Sequence, residues 1–280
     1  MNTYYEIGKS TIYKQDIDRI KSLKIPPNWK NVKVSRDATD KVQVIGYDFK
    51  GREQRIYHPE WIKQAKELKY KAMNTLSRKY TKFDKYLDKL VNKKDLSKEC
   101  IIANVIKLIM LLNIRIGNDI YFEENGTCGI STLRKENLKI IGTDYILKFI
   151  GKKGVEHSKS IKSLRVKNFL DRIKNIKNDR LFCYQNQNEY IPILASDINS
   201  FIKEHLGNTY TAKDLRTYSA NKIFKEYLKT CDKPKSEKDI KRNIIAAIKY
   251  TSMELGNTPL VCKQSYIDPK NIDRYKEAWS

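Results

Sequence analysis

Helical spacing dominates the apolar pattern of this chain beyond residue 59, and short strand-like runs dominate it before. From Ser236, with Asp239 three residues on, apolar side chains fall at Ile240, Ile244, Ile248 and Leu255, which predicts a long amphipathic helix opened by a serine cap. Gly256 is placed to end it, and Thr258-Pro259 to cap and start another. The run at 100–116, entered after Ser97, predicts a buried helix, because Asn104, Lys107, Asn113 and Arg115 interrupt it too often for a membrane span. Further helices are expected from Pro59 through the mid-70s, at 164–177, at 196–206 and from Thr211, where Asp214 completes a capping box. Strands are expected at 11–14, 32–35, 42–46 and 54–57, then at 130–133, 138–141, 145–150, 155–161 and 181–184. The runs 145–150 and 155–161 enclose Gly151-Lys152-Lys153-Gly154, a hairpin with cations at its tip.

The break at Gly256-Asn257-Thr258-Pro259 decides where side chains point. In an unbroken helix, Asn257 and Tyr266, nine residues apart, would lie on nearly opposite faces at about 3.6 residues per turn. The break lets both turn toward one point. A tyrosine aimed with an amide donor suits a nucleophile beside an oxygen-binding group. The same pattern suits a helix–turn–helix whose tyrosine packs in a core.

Charge narrows the partner. The 280 residues hold 56 Lys and Arg against 33 Asp and Glu, a net +23 spread along the whole length. That favours a polyanion, and nucleic acid first among polyanions; a Lys-, Asn- and Ile-rich composition from an AT-biased genome also raises it. The five cysteines (100, 128, 183, 231, 262) form no Cys-x-x-Cys pair, and the three histidines (58, 157, 205) lack metal-ligand spacing. This points to a reducing compartment and away from structural zinc. With no secretory signal in view, the expectation is a soluble intracellular protein. No Gly-rich phosphate loop, carboxylate cluster for Mg²⁺ or internal repeat stands out.

Some cations stand where local rules disfavour them. Lys213 and Arg216 lie in or near the first turn of the helix opened at Thr211, opposing its dipole at about 0.3 kcal/mol or more each. A sequence that accepts this gathers positive charge for an anion, which a helix N-terminus also attracts. Lys50-Gly51-Arg52 presents two cations on a turn, and Gln54 and Tyr57 add an amide and a ring. The set fits contact with a duplex backbone and groove, as it fits an ordinary basic hairpin. Arg115, at the end of an apolar helix, suits a helix C-terminus by charge alone.

Taken in order, these stretches resemble one family. Ile25-Pro26-Pro27-Asn28-Trp29, followed by Gly46-x-Asp48-x-x-Gly51-Arg52-x-Gln54-x-x-Tyr57-His58-Pro59, is similar to the N-terminal module of poxvirus-like type IB DNA topoisomerases, a group with bacterial and giant-virus members. Ile114-Arg115-Ile116-Gly117 with Tyr121 resembles the family's first catalytic arginine box. Phe149-Ile150-Gly151-Lys152 resembles its lysine ribbon, and Lys213-Asp214-Leu215-Arg216-Thr217-Tyr218 with Asn221 its second arginine box. The likeness covers nearly the whole chain. It implies an α+β fold: a small β-rich DNA-binding domain at 1–66, and a larger, mainly helical catalytic domain with a β-hairpin at 67–280, forming a two-lobed clamp on double-stranded DNA.

The resemblance also implies the chemistry. Tyr266 attacks a phosphodiester and forms a 3′-phosphotyrosyl link, Arg115 and Arg216 hold the nonbridging oxygens, and Lys152 is the general acid, with Lys153 adjacent. DNA contacts are expected from Lys50, Arg52, Gln54, Tyr57, Tyr121, Lys213 and Asn221. The implied enzyme is a monomer that relaxes supercoils without metal, ATP or other cofactor. Two departures stand out: Asn257 occupies the family's usual histidine position, and Cys-Lys-Gln-Ser-Tyr replaces Ser-Lys-Arg-Ala-Tyr, with fourteen residues after Tyr266. A tyrosine recombinase shares the Arg-Lys-Arg-Tyr set but typically carries His-x-x-Arg where this chain has Lys213-x-x-Arg216. A DNA-binding protein without catalysis is the other alternative.

Overall fold

The computed structural model describes residues 4–9 and 11–279. The chain divides into two units, Met1–Ala72 and Met73–Ser280, a little beyond residue 66 and inside a helix.

In the first unit, β1 (Tyr4–Glu6), α1 (Lys14–Ser22), β2 (Lys30–Ser35), β3 (Val42–Tyr47) and β4 (Glu53–Tyr57) precede α2 (Pro59–Asn92), which crosses the division. The strands form one antiparallel sheet in sequence order. Tyr5, Val32, Val34 and Val44 make its core, with Ile20, Leu23 and Trp29 packed against them. The expected strand at 11–14 is instead the approach to α1. Ile20 and Leu23, three apart, point to that core, while Asp16 opens the helix and Arg19 and Lys21 close it, matching its dipole. Trp29 lies on Gly46, where a Cβ would come 2.8 Å from Cε3. This contact joins the Pro-Pro-Asn-Trp stretch to the strand pair.

The second unit is mainly helical. Its centre is α3 (Lys98–Leu112), buried on nearly every side and packed by α5, α6, α7 and β8. After it come α4 (Asp119–Asn125), the antiparallel sheet β5 (Leu138–Ile141), β6 (Asp144–Ile150) and β7 (Glu156–Ile161), then α5 (Leu164–Ile173) and the hairpin β8 (Cys183–Asn186) and β9 (Glu189–Pro192). The chain closes with α6 (Ala195–Leu206), α7 (Ala212–Thr230), α8 (Glu237–Leu255), α9 (Pro259–Ser265) and α10 (Pro269–Glu277). Two expectations change here. Helix α2 continues to Asn92, because Met73, Leu76, Phe83, Leu87 and Leu90 keep burying one face. Residues 130–133 are no strand: Ile130–Thr132 is a 3₁₀ turn closed by Gly129 N–H donating to Thr132 Oγ1 at 2.9 Å.

Candidate active site

Helix α3 stops at Asn113, whose left-handed backbone (φ 53°) turns the chain out. Arg115 follows in a segment pinned by the 3₁₀ turn. Ile130 N–H donates to the Arg115 carbonyl at 2.7 Å and Ser131 N–H to that of Ile116 at 2.8 Å. The two segments touch at Gly117 and Gly129, where a Cβ on Gly129 would lie 2.4 Å from Gly117 Cα. No larger residue fits at Gly129, and Gly117, with φ +94° and a Cβ position 3.1 Å from Gly129 Cα, is constrained from the other side, so the two glycines together let the Arg115 segment be held.

Helix α7 opens with the predicted box, Thr211 N–H and Oγ1 both donating to Asp214, at 2.9 and 2.7 Å. Arg216, one turn in, is only 3% exposed. Its Nε donates to the Asn113 carbonyl at 3.0 Å, Nη2 to the Leu255 carbonyl at 3.0 Å, and Nη1 to Tyr266 Oη at 3.4 Å. One fork thus ties the ends of α3 and α8 to the tyrosine. Burial pulls its pKa down to about 10; Tyr266 opposes that shift and Arg115 adds to it. It remains a cation at neutral pH.

Helix α8 ends at Gly256 (φ 60°), whose N–H donates to the Met253 carbonyl at 3.1 Å, while Asn257 N–H donates to that of Ser252 at 2.9 Å. This is the Schellman pairing. Thr258 caps α9 by accepting from Val261 N–H at 3.3 Å, and Pro259 takes the first helical position. The turn aims Asn257 at Arg115, whose Nη2 donates to Asn257 Oδ1. The amide's other end, Nδ2, is buried and has no partner among the described residues. Tyr266 joins the two geometries its sequence pattern allows. Its ring packs on Ala220 and Leu255, and its hydroxyl meets Arg216.

The remaining expected residues divide. Asn221 is buried, and its amide is spent on protein. Nδ2 donates to the Thr217 and Tyr266 carbonyls, each at 2.8 Å, and Oδ1 accepts from Asp268 N–H at 2.8 Å and from Asn271 Nδ2 at 2.9 Å. All four of its hydrogen-bonding positions are filled, so it braces the tyrosine turn and does not face outward to DNA as expected. Lys213 and Tyr121 are exposed. Lys152 is exposed at the hairpin tip, in the 3₁₀ turn Lys152–Gly154. In the first unit, Lys50 is exposed. Arg52 instead forks onto Asp48 through Nε at 2.8 Å and Nη2 at 2.6 Å, and Gln54 Nε2 donates to the same carboxylate at 3.1 Å. That fork holds the Asp48 carboxyl below its usual range. Tyr57 stacks on Trp61, with ring centroids 4.6 Å apart.

Two residues that sequence reasoning passed over, His157 and Lys159, lie on the face of β7 toward the end of α8. Lys159 Nζ donates to the Glu254 carbonyl at 2.8 Å, and a Cβ on Gly256 would fall 2.2 Å from His157 Cε1. The alternation His-x-Lys after a Gly-Lys tip was the one advance signal. Among the described residues, no three His, Cys, Asp or Glu side chains gather as a metal site.

Comparison with known families decides the chain's membership. A model described as eukaryotic DNA topoisomerase I, catalytic core, matches residues 48–280, and one described as bacterial DNA topoisomerase IB, N-terminal domain, matches residues 3–48. The chain belongs to the type IB DNA topoisomerases. Among relatives of this topoisomerase, DNA topoisomerase 1B of Acanthamoeba polyphaga mimivirus is 33% identical over 281 residues, covering 98% of this chain and 84% of the relative. DNA topoisomerase 1B of vaccinia virus (strain Copenhagen) is 24% identical over 264 residues, covering 92% and 81%. Among solved structures, the XerH site-specific recombinase bound to a palindromic difH substrate is similar at a TM-score of 0.43 and 16% identity, over 70% of this chain and 51% of the recombinase. As a type IB topoisomerase the chain is a DNA-binding isomerase, and Tyr266 with Arg216 on its hydroxyl and the Arg115–Asn257 pair near that arginine is the candidate centre of its chemistry.

Proposed function

We propose that this chain relaxes supercoiled duplex DNA with Tyr266 as nucleophile. The Tyr266 Oη–P bond forms as the P–O5′ bond breaks, leaving a 3′-phosphotyrosyl link and a 5′-hydroxyl end. The phenol proton leaves to solvent and Lys152 gives a proton to O5′. Two-step transfer conserves the energy of the broken bond, so rejoining needs no ATP. While the link lasts, the free end swivels.

The observation that carries this reading is the single fork of Arg216, which meets the Tyr266 hydroxyl while Arg115 stands beside Asn257. A guanidinium on the tyrosine hydroxyl, with a second near enough to act on the first, suits a pentacoordinate phosphorus whose nonbridging oxygens gain charge. Asn257 holds Arg115 through its oxygen and offers Nδ2 to the phosphate. Lys152 meets the leaving oxygen when the hairpin tip lies over the scissile phosphate. Lys50, Tyr57, Tyr121 and Lys213 are the outward candidates for DNA contact. Arg115, Asn257, Arg216 and Tyr266 gather within a single copy of the chain, a set that suits action as a monomer. The five cysteines are all free thiols, which supports a reducing, intracellular setting, and no helix among the described residues is long and apolar enough to cross a membrane.

The test is incubation with positively and negatively supercoiled plasmid in EDTA, without ATP. Both should relax, an SDS-trapped covalent adduct should appear, and Tyr266→Phe should bind DNA without forming it. Relaxation that requires metal or nucleotide, or an adduct on Tyr266→Phe, would overturn the assignment.

A further inference from the structure

The imidazole of His157 fills a slot between two stretches that the proposed reaction must bring together. On one side is Gly151, immediately before Lys152, where a Cβ would lie 2.6 Å from His157 Nε2. On the other is Gly256, immediately before Asn257, where a Cβ would lie 2.2 Å from Cε1. Phe149, its cross-strand partner, covers the ring face with centroids 4.8 Å apart and planes 15° from parallel. Lys159, two residues along and so on the same face, fastens β7 to the Glu254 carbonyl. The ring thus occupies the space a side chain would take at both glycines, and Gly256 also needs glycine for its left-handed φ of 60°.

We propose that His157 is a positioning residue of the cleavage step, a wedge that sets the Lys152 hairpin against the Asn257 turn and so aims the general acid at the leaving oxygen. The inference rests on the topoisomerase reading of the site above. The ring is suited to this because it is neutral. Burial, together with Lys159 on its own strand, Arg115 beyond α3 and Arg216 on α7, pushes its pKa down to about 4. It therefore fills the slot without adding a cation beside the two arginines.

The experiment compares single-turnover cleavage of a duplex carrying the ordinary 5′-oxygen with one carrying a 5′-bridging sulfur at the scissile phosphate. Sulfur leaves as a thiolate and needs no acid, so a defect in acid placement disappears on it. His157→Ala should lose about 10²-fold on oxygen, the scale on which misplaced catalytic groups fail, and come within about threefold of wild type on sulfur. Lys152→Ala should follow the same pattern. Gly151→Ala, at an ordinary φ, pushes the ring away without deleting it and should give the same selective loss. Adding His157→Ala to it should cost little more, since both act through one contact.

Equal losses on oxygen and sulfur, or no loss on oxygen, would overturn the wedge; a ring that only supported the fold would slow both substrates and lower the melting temperature together. A wild-type protein that forms no adduct on either substrate would instead remove the reading of the site itself. Lys152→Ala unrescued by sulfur would remove the acid assignment, and with it the wedge's stated purpose.

Discussion

Arg216 meets the Tyr266 hydroxyl through Nη1 while its other two nitrogens hold the carbonyls of Asn113 and Leu255. The guanidinium is thus part of the fold before it is part of the chemistry. Its position relative to the tyrosine is set by backbone at the ends of two helices, and it is buried, where fixed charge acts most strongly.

Arg216→Lys keeps the charge and loses the fork. At least one buried carbonyl is left without its donor, so stability should fall by about 1–3 kcal/mol, and single-turnover cleavage by about 10²–10³. Denaturant melts and adduct formation read the two effects separately. A lysine variant cleaving at the wild-type rate would show that charge alone suffices.

Asn257 separates a brace from a donor. Asn257→Ala removes both the acceptor for Arg115 and the unpartnered Nδ2, and should slow cleavage by about 10². Asn257→Asp gives Arg115 a better acceptor but puts negative charge where the phosphate gains its own, so it should be slower than Ala. If Asp proved faster than Ala, Asn257 would serve only to hold Arg115.

Asn221→Ala should cut adduct formation and lower stability by about 2–3 kcal/mol, since buried partners lose their hydrogen bonds. Equilibrium affinity for duplex should stay within about twofold of wild type by that argument. A large affinity loss with unchanged stability would return Asn221 to the DNA contacts.

In the first unit, Lys50→Ala should flatten the dependence of log affinity on log salt by about 0.9, the increment for one phosphate contact. Arg52, paired with Asp48, should instead show its main effect in thermal melting. Equal slope changes for the two would place both on the backbone.

His157 also predicts a pH dependence. The native state keeps the ring neutral to about pH 4, whereas the unfolded chain titrates near 6.5. Between those values the unfolded state binds the extra proton, so stability is greatest above 6.5 and falls as pH drops toward 4. His157→Asn removes that titration and should flatten urea-measured stability over this window. An unchanged slope would assign the loss to other groups.

What is local or linear was legible in the chain alone. Ser236, Thr211 and Thr258 open their helices, Gly256 ends α8, and the Gly-Lys tip lies between β6 and β7, because caps and turns are decided by a few neighbouring residues. The ordered boxes around Arg115, Lys152, Arg216 and Tyr266 pointed to the family for the same reason. Local signals failed at 11–14 and 130–133, where apolar and β-branched residues fit a strand as well as the helix approach and 3₁₀ turn that long-range packing selects. Long-range packing, by contrast, carries Arg216 to three separate segments, seals Asn221 behind the tyrosine turn, spends donors of Arg52 and Gln54 on Asp48, and fits His157 between Gly151 and Gly256. Each depends on which distant segments share a face and how closely their backbones approach. Spacing along a chain does not encode that, whereas two glycines meeting one ring do.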